Sequence, residues 1–128
     1  MTAIIFIFYP SLAVSIKIKY FSEERFLIYM TDLTQKIIEQ ILAVPKGKVS
    51  SYRDIAARAG LPNGARQTVR VLHTMSEKYN LPWYRIIRSN GAIALGEGTG
   101  KELQIKLLRR EKVKVSEDGR IDINKYGY

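Results

Sequence analysis

Cysteine is absent from this 128-residue chain. That removes disulfides, thiolate metal sites and every thiol nucleophile at once. It also fits a reducing intracellular compartment, cytoplasm or nucleoid if the source is prokaryotic. Histidine is nearly absent too. His73 stands alone, so no imidazole cluster can hold a metal or shuttle protons, and no motif calls for a cofactor. Acidic side chains are scarce, 12 against 21 Lys and Arg, leaving a formal charge of +9 and a pI near 9.9. A surplus of that sign favours a polyanion, either nucleic acid or an anionic membrane surface, although a merely soluble basic domain shows the same balance. Long hydrophobic runs are missing. The apolar stretch from Ala3 to Val14, interrupted by Pro10 and Ser11, is too short to cross a bilayer. Its first basic residue is Lys17, so it lacks the charged start of a secretory signal.

What is present reads as one small domain. Residues 1–29 are rich in Ile, Phe and Tyr and stand apart. They are either an extension upstream of a start at Met30 or an extra element covering an apolar face. Most of the positive charge lies in 30–128. Asp32 with Gln35 has the form of a capping box, and Leu33, Ile37, Ile38, Ile41 and Leu42 recur at helical spacing, so a helix is expected over 33–43. Pro45-Lys46-Gly47-Lys48 forms a basic turn. Ser51 is a good N-cap for a helix that Gly60 ends, and Asn63 is expected to cap another from about Gly64 to Ser76.

Helix, glycine-containing turn, helix is the pattern of a helix-turn-helix. On the second helix, Ala65, Val69, Leu72 and Met75 are expected to face the core. Arg66, Arg70 and His73 share another face and point outward, as a nucleic-acid reader needs. From Leu81 the chain becomes extended. Ser89-Asn90-Gly91 is a hairpin turn between Arg85–Arg88 and Ala92–Leu95. Gly96, Gly98 and Gly100 form a flexible loop without the Gly-Lys-Ser/Thr of a phosphate-binding loop. A helix over 101–111, with Leu103, Leu107 and Leu108 apolar, precedes a final β-ribbon formed by 113–115 and 120–123. The fold class expected is α+β, mainly α: winged-helix-like, with a helix-turn-helix, a short β-hairpin and a C-terminal β-ribbon.

Several separated motifs carry a family resemblance over roughly 33–115. Pro45-Lys46-Gly47-Lys48-Val49-Ser50-Ser51-Tyr52, Ala65-Arg66, Pro82-Trp83-Tyr84-Arg85-Ile86-Ile87, Ser89-Asn90-Gly91 and Glu111 occur in the order seen in O6-alkylguanine-DNA alkyltransferases. Those enzymes read Pro-Cys-His-Arg-Val/Ile at the active-site strand. Here Trp83 holds the place of the alkyl-accepting Cys and Tyr84 that of the His. The chain therefore resembles the alkyltransferase-like proteins, which bind the lesion without repairing it.

The resemblance implies roles residue by residue. Tyr52, after Ser51, corresponds to the Tyr that rotates a phosphate, and Arg66 to the finger that fills the duplex when a nucleotide is extruded. Lys46, Lys48, Ser51, Gln67 and Arg70 complete the expected DNA-binding set. Trp83, Tyr84, Arg85, Ser89, Asn90 and Gly91 are expected around the lesion pocket, with Glu111 left structural. The implied partner is double-stranded DNA containing O6-alkylguanine, bound by a monomer that hands the damage to nucleotide excision repair; no membrane role is implied. The alkyltransferases carry small residues after the finger, where this chain has Val69 and Arg70. A winged-helix transcription regulator reading bases through Arg66, Arg70 and His73 is the alternative. It leaves the Trp83 motif unused.

Overall fold

A computed structural model of the chain describes secondary structure from Phe21 and side chains from Asp32 onward. The reading of 1–29 as an extension falls largely on residues 1–20, which lie outside the described residues. The chain divides into two compact units, Met1–Lys36 and Ile37–Tyr128.

Helix α1 spans Phe21–Ala43 and so begins well before the expected Asp32. Asp32 is an interior helical position, not a cap, and its exposed carboxylate pairs with Lys36 one turn on, at 3.4 Å. Ile37, Ile38, Ile41 and Val44 are buried, whereas Leu42, expected on the same face, is exposed.

Strand β1 (Ser50–Ser51) leads directly into α2 (Tyr52–Arg58). Ser51 Oγ accepts the Asp54 N–H at 3.0 Å, the expected cap. Gly60, at φ +95°, lets the chain leave that helix. Helix α3 is Ala65–Tyr79, and its cap is Gly64, not Asn63. The reason is local packing: a Cβ at position 64 would lie 2.4 Å from the Leu61 side chain, so the glycine lets the turn fold tightly over Leu61. Asn80, in the left-handed region at φ 51°, closes α3. On this helix Thr68 and Val71 are buried, while Val69 is 48% exposed, so the core-facing stripe lies beside the one expected.

A single 3₁₀ turn, Trp83–Arg85, precedes strand β2 (Ile86–Ile87), which pairs in parallel with β1. The chain then reverses tightly, with the Arg88 N–H donating to the Ala92 carbonyl at 2.9 Å. Residues 91–93 continue not along β2 but against 119–121: Ile93 N–H donates to Gly119 O, and Ile121 N–H to Gly91 O. The C-terminal ribbon therefore pairs 119–121 with the arm after the turn, and Ser116–Arg120 only closes the bend. Helix α4 is Lys101–Arg110, burying Gln104 and Leu108 while Leu103 faces solvent. Ile123, expected at the end of the ribbon, instead opens a short helix, α5 (Ile123–Tyr126), and Gly127 bridges Val49. Val49, Ile87, Ile93, Leu108, Val113, Val115, Ile121 and Tyr126 make a common core. The result is an α+β, winged-helix-like domain around the α2–α3 helix-turn-helix.

Gly91 fixes where the ribbon starts. Its φ is +89°, and a Cβ there would come 2.5 Å from the Ile121 carbonyl oxygen. Gly91→Ala should therefore destabilise the domain by more than the ~1–2 kcal/mol of a left-handed alanine. Urea unfolding measures this, and a loss below ~0.5 kcal/mol would show that the close approach is not needed.

Candidate nucleic-acid interface

Helix α3 carries the outward basic face. Arg66, Arg70 and His73 are exposed, and Gln67 between them is half-buried. The turn after α1 presents Lys46 to solvent, with Lys48 partly covered and its ammonium 3.5 Å from the Lys125 carbonyl. Lys46, Arg66 and Arg70 project into solvent, where basic side chains can meet phosphates. Ser51 differs from its expected place in this set. It is only 6% exposed and its hydroxyl is committed to capping α2.

Beside this face lies a cavity of about 310 Å³, lined mainly by apolar atoms from α2, α3, the Trp83 turn, the loop and α4. Trp83, Tyr52, Val69, Leu72, Leu95 and Gln104 are its principal walls, with His73 and Ser76 completing the α3 side. Its size lies in the range of small-molecule sites, about 300–1,000 Å³. Burial raises the Tyr52 phenol above its ordinary 10.0 against the opposing charge of Arg88, so Tyr52 stays neutral at physiological pH.

Trp83 lines this cavity; its neighbours in sequence do not. The Tyr84 ring stands edge-on to the indole, centroids 5.9 Å apart, and its hydroxyl donates to Glu111 Oε2 at 2.9 Å. Arg85 grips the same carboxylate with two N–H groups, at 2.9 and 2.6 Å, and donates a third to the Val44 carbonyl at 2.9 Å. The Gly47 N–H completes the ring on Glu111 Oε1 at 3.1 Å. Burial pushes the Glu111 carboxyl up, but the hydrogen bonds from Arg85, Gly47 and Tyr84 outweigh it and hold its pKa below the ordinary value. The Tyr84 phenol is raised, first by burial and then by donating to that carboxylate.

The rest of the expected pocket set is dispersed. Ser89 lines a separate hollow of about 200 Å³ with Ser50, Asp54 and Asn124. Asn90 Oδ1 accepts the Ala92 N–H within the turn, and Gly91 is buried against the 121 backbone. The cavity residues missed in the sequence had a signal: Val69, Leu72, His73 and Ser76 fall at i, i+3, i+4 and i+7 on α3. That spacing marks one helix face without saying whether core or ligand covers it.

Known proteins resemble this chain in sequence and fold. The family model described as the 6-O-methylguanine DNA methyltransferase DNA-binding domain matches residues 32–113. A DNA base-flipping protein of Vibrio parahaemolyticus is 40% identical over 97 residues, 76% of this chain and 96% of that protein. Alkyltransferase-like protein 1 of Schizosaccharomyces pombe is 31% identical over 67% of this chain and 81% of its own length. The crystal structure of S. pombe Atl1 in complex with damaged DNA containing O6-carboxymethylguanine superposes with a TM-score of 0.68, at 27% identity, covering 77% of this chain and 95% of that one.

The Glu111 ring has a pH signature. A carboxylate with a lowered folded pKa stabilises the fold above its unfolded value, ordinarily 4.5, and loses that contribution as pH falls through the folded pKa. Glu111→Gln should cost about 3 kcal/mol at pH 7 by leaving the Arg85 charge buried without its counter-ion. The difference between wild type and variant in urea unfolding should shrink as pH drops below 4.5. A gap that stays constant from pH 7 to pH 3 would contradict the assigned role.

Proposed function

Because the chain belongs to the family of the 6-O-methylguanine DNA methyltransferase DNA-binding domain, we propose that it recognises O6-alkylguanine in duplex DNA without repairing it. The nucleotide is turned out of the helix into the Trp83 cavity. The observation that carries this reading is the Trp83 cavity itself: an apolar site beside a basic recognition helix, with an indole at the position of the family's alkyl acceptor. The chain has no cysteine, so no thiolate exists to take the alkyl group.

The physical steps follow from the side chains. A stacked guanine cannot reach the cavity, and extruding it costs ~a few kcal/mol, least where alkylation has already weakened the pair. Stacking on an aromatic ring recovers ~1–3 kcal/mol, and Trp83 offers that surface. Arg66, exposed near the start of α3, fills the vacated stack with a planar guanidinium that can also hydrogen-bond the orphaned base. Tyr52 lies along the cavity wall, beside the path of the extruded nucleotide. Lys46, Lys48 and Arg70 meet phosphates. Entry through the minor groove discriminates sequence poorly, which suits a protein whose target is damage.

The protein works as a monomer, and the bound lesion is passed to nucleotide excision repair. A transcription regulator would use the same basic helix but would have no use for the cavity.

A duplex with a single O6-methylguanine should bind more tightly than the same duplex with guanine, and mass spectrometry of the recovered protein should show no added methyl group. Equal affinities would overturn lesion recognition, and a stoichiometric adduct would overturn the absence of chemistry.

Arg66→Ala should weaken binding to the lesion duplex selectively. Lys46→Ala and Lys48→Ala should weaken damaged and undamaged DNA alike, each lowering the salt slope by about one. An equal loss on both duplexes for Arg66→Ala would reduce it to a phosphate contact.

A further inference from the structure

Between Lys106 and Lys114 the chain carries five exposed cations, Lys106, Arg109, Arg110, Lys112 and Lys114, and a single acid. That acid is Glu111, turned inward and paired with Arg85, so the outward charge of this stretch is all positive. Basic residues in the last turn of a helix favour its negative end, which accounts for Arg109 and Arg110 at the close of α4. It does not account for Lys112 and Lys114, which lie beyond the helix. Lys112 is the sharper case. Its φ is +69°, in the left-handed region where glycine is the ordinary residue after a helix and any other side chain is strained. The side chain held there in spite of the strain is an exposed ammonium. Backbone strain of this kind gathers at functional sites.

Arg109, Lys112 and Lys114, with Val113 and Val115, line an open hollow of about 330 Å³ that shares no residue with the Trp83 cavity or with α3. A terminal N–H of Arg109 donates to the Val115 carbonyl at 2.7 Å, which seats the guanidinium at the edge of the hollow. The chain's own Glu117, its side chain 98% exposed, brings a carboxylate within 3.6 Å of that guanidinium. The floor alternates as a strand does, with Val113 and Val115 buried and Lys114 between them exposed. Yet it pairs with no strand, and among the described residues neither the N–H nor the carbonyl of Lys114 has a backbone hydrogen bond. We infer that this hollow docks an acidic protein segment, a contact separate from the one with DNA. Main-chain hydrogen bonds lay the segment beside Val113–Val115, and its carboxylates meet Arg109, Lys112 and Lys114. A duplex fits this face less well. It has no peptide groups to pair with the open edge, and Glu117 and Asp118 flank the cations with charge of the same sign as phosphate.

The probe is a fluorescein-labelled decapeptide alternating Glu and Thr, with the same peptide carrying Gln for Glu as its neutral control. Anisotropy follows binding to the full chain, first alone and then saturated with undamaged duplex so that the basic helix is occupied. The Glu peptide should bind in both states and the Gln peptide in neither. Combining Lys112→Gly with Lys114→Gln should weaken the Glu peptide about three- to tenfold, the range of two exposed ion pairs, and leave duplex affinity unchanged. Glycine suits φ +69° better than lysine does, so the variant should resist urea at least as well as wild type, which separates lost binding from lost fold. Unchanged peptide affinity in the variant, or no binding by wild type, overturns the inference. So does displacement of the peptide by duplex, or a matching loss of duplex affinity and salt slope, which would make this face a DNA contact. None of these outcomes bears on lesion recognition, which is read from other duplexes at another site.

Discussion

The rest of the site depends on the buried ion pair between Arg85 and Glu111. Arg85 gives three N–H groups, two to the carboxylate and one to the Val44 carbonyl. Glu111 in turn holds Tyr84 and the Gly47 backbone. The pair thus ties together the end of α1, the basic turn, the end of α4 and the 3₁₀ turn that aims Trp83. A buried pair of this kind contributes little net stability against an apolar alternative, but losing one partner leaves an unpaired charge. Its value here is positional. It fixes the indole and the basic turn in one frame.

In the proposed function two energies of different kind divide the work. The basic surface supplies affinity for any duplex, falling steeply with salt and blind to damage. The cavity supplies discrimination. Extrusion and stacking are each of order a few kcal/mol, so neither wins by a wide margin. On the proposed reading, a weakened base pair and the Arg66 guanidinium in the vacated stack tip the balance. A nearly balanced exchange is what a damage sensor requires, since ordinary guanine must be left in its pair.

Local features were legible in the sequence. Ser51 capping α2 and Asn90-Gly91 turning the chain are short-range matters of backbone chemistry. The outward Arg66, Arg70 and His73 follow from spacing alone. The Trp83 motif was legible through its order among other motifs. Pairings between distant, two-residue strands were not, because Ser50–Ser51 and Ile86–Ile87 carry no periodicity of their own. Nor was the role of Val69 and Leu72, since an apolar residue lining a ligand cavity has the signature of one facing a core. Gln104 was hidden for the opposite reason: a polar side chain in an amphipathic helix reads as solvent-facing, and only the carbonyls of Tyr84 and Ile86 explain its burial. Asp32 misled because its capping pattern is also that of an ordinary helical ion pair with Lys36.

Trp83 is the only tryptophan in the chain, which makes the cavity observable without a label. Its fluorescence, titrated with matched duplexes containing O6-methylguanine or guanine, tests most directly whether an extruded base comes to rest on the indole. With the lesion duplex, emission should be quenched by stacking and protected from a soluble quencher, while undamaged duplex at equal occupancy should leave it nearly unchanged. Identical responses to the two duplexes, or none to either at saturation, would contradict base capture in this cavity.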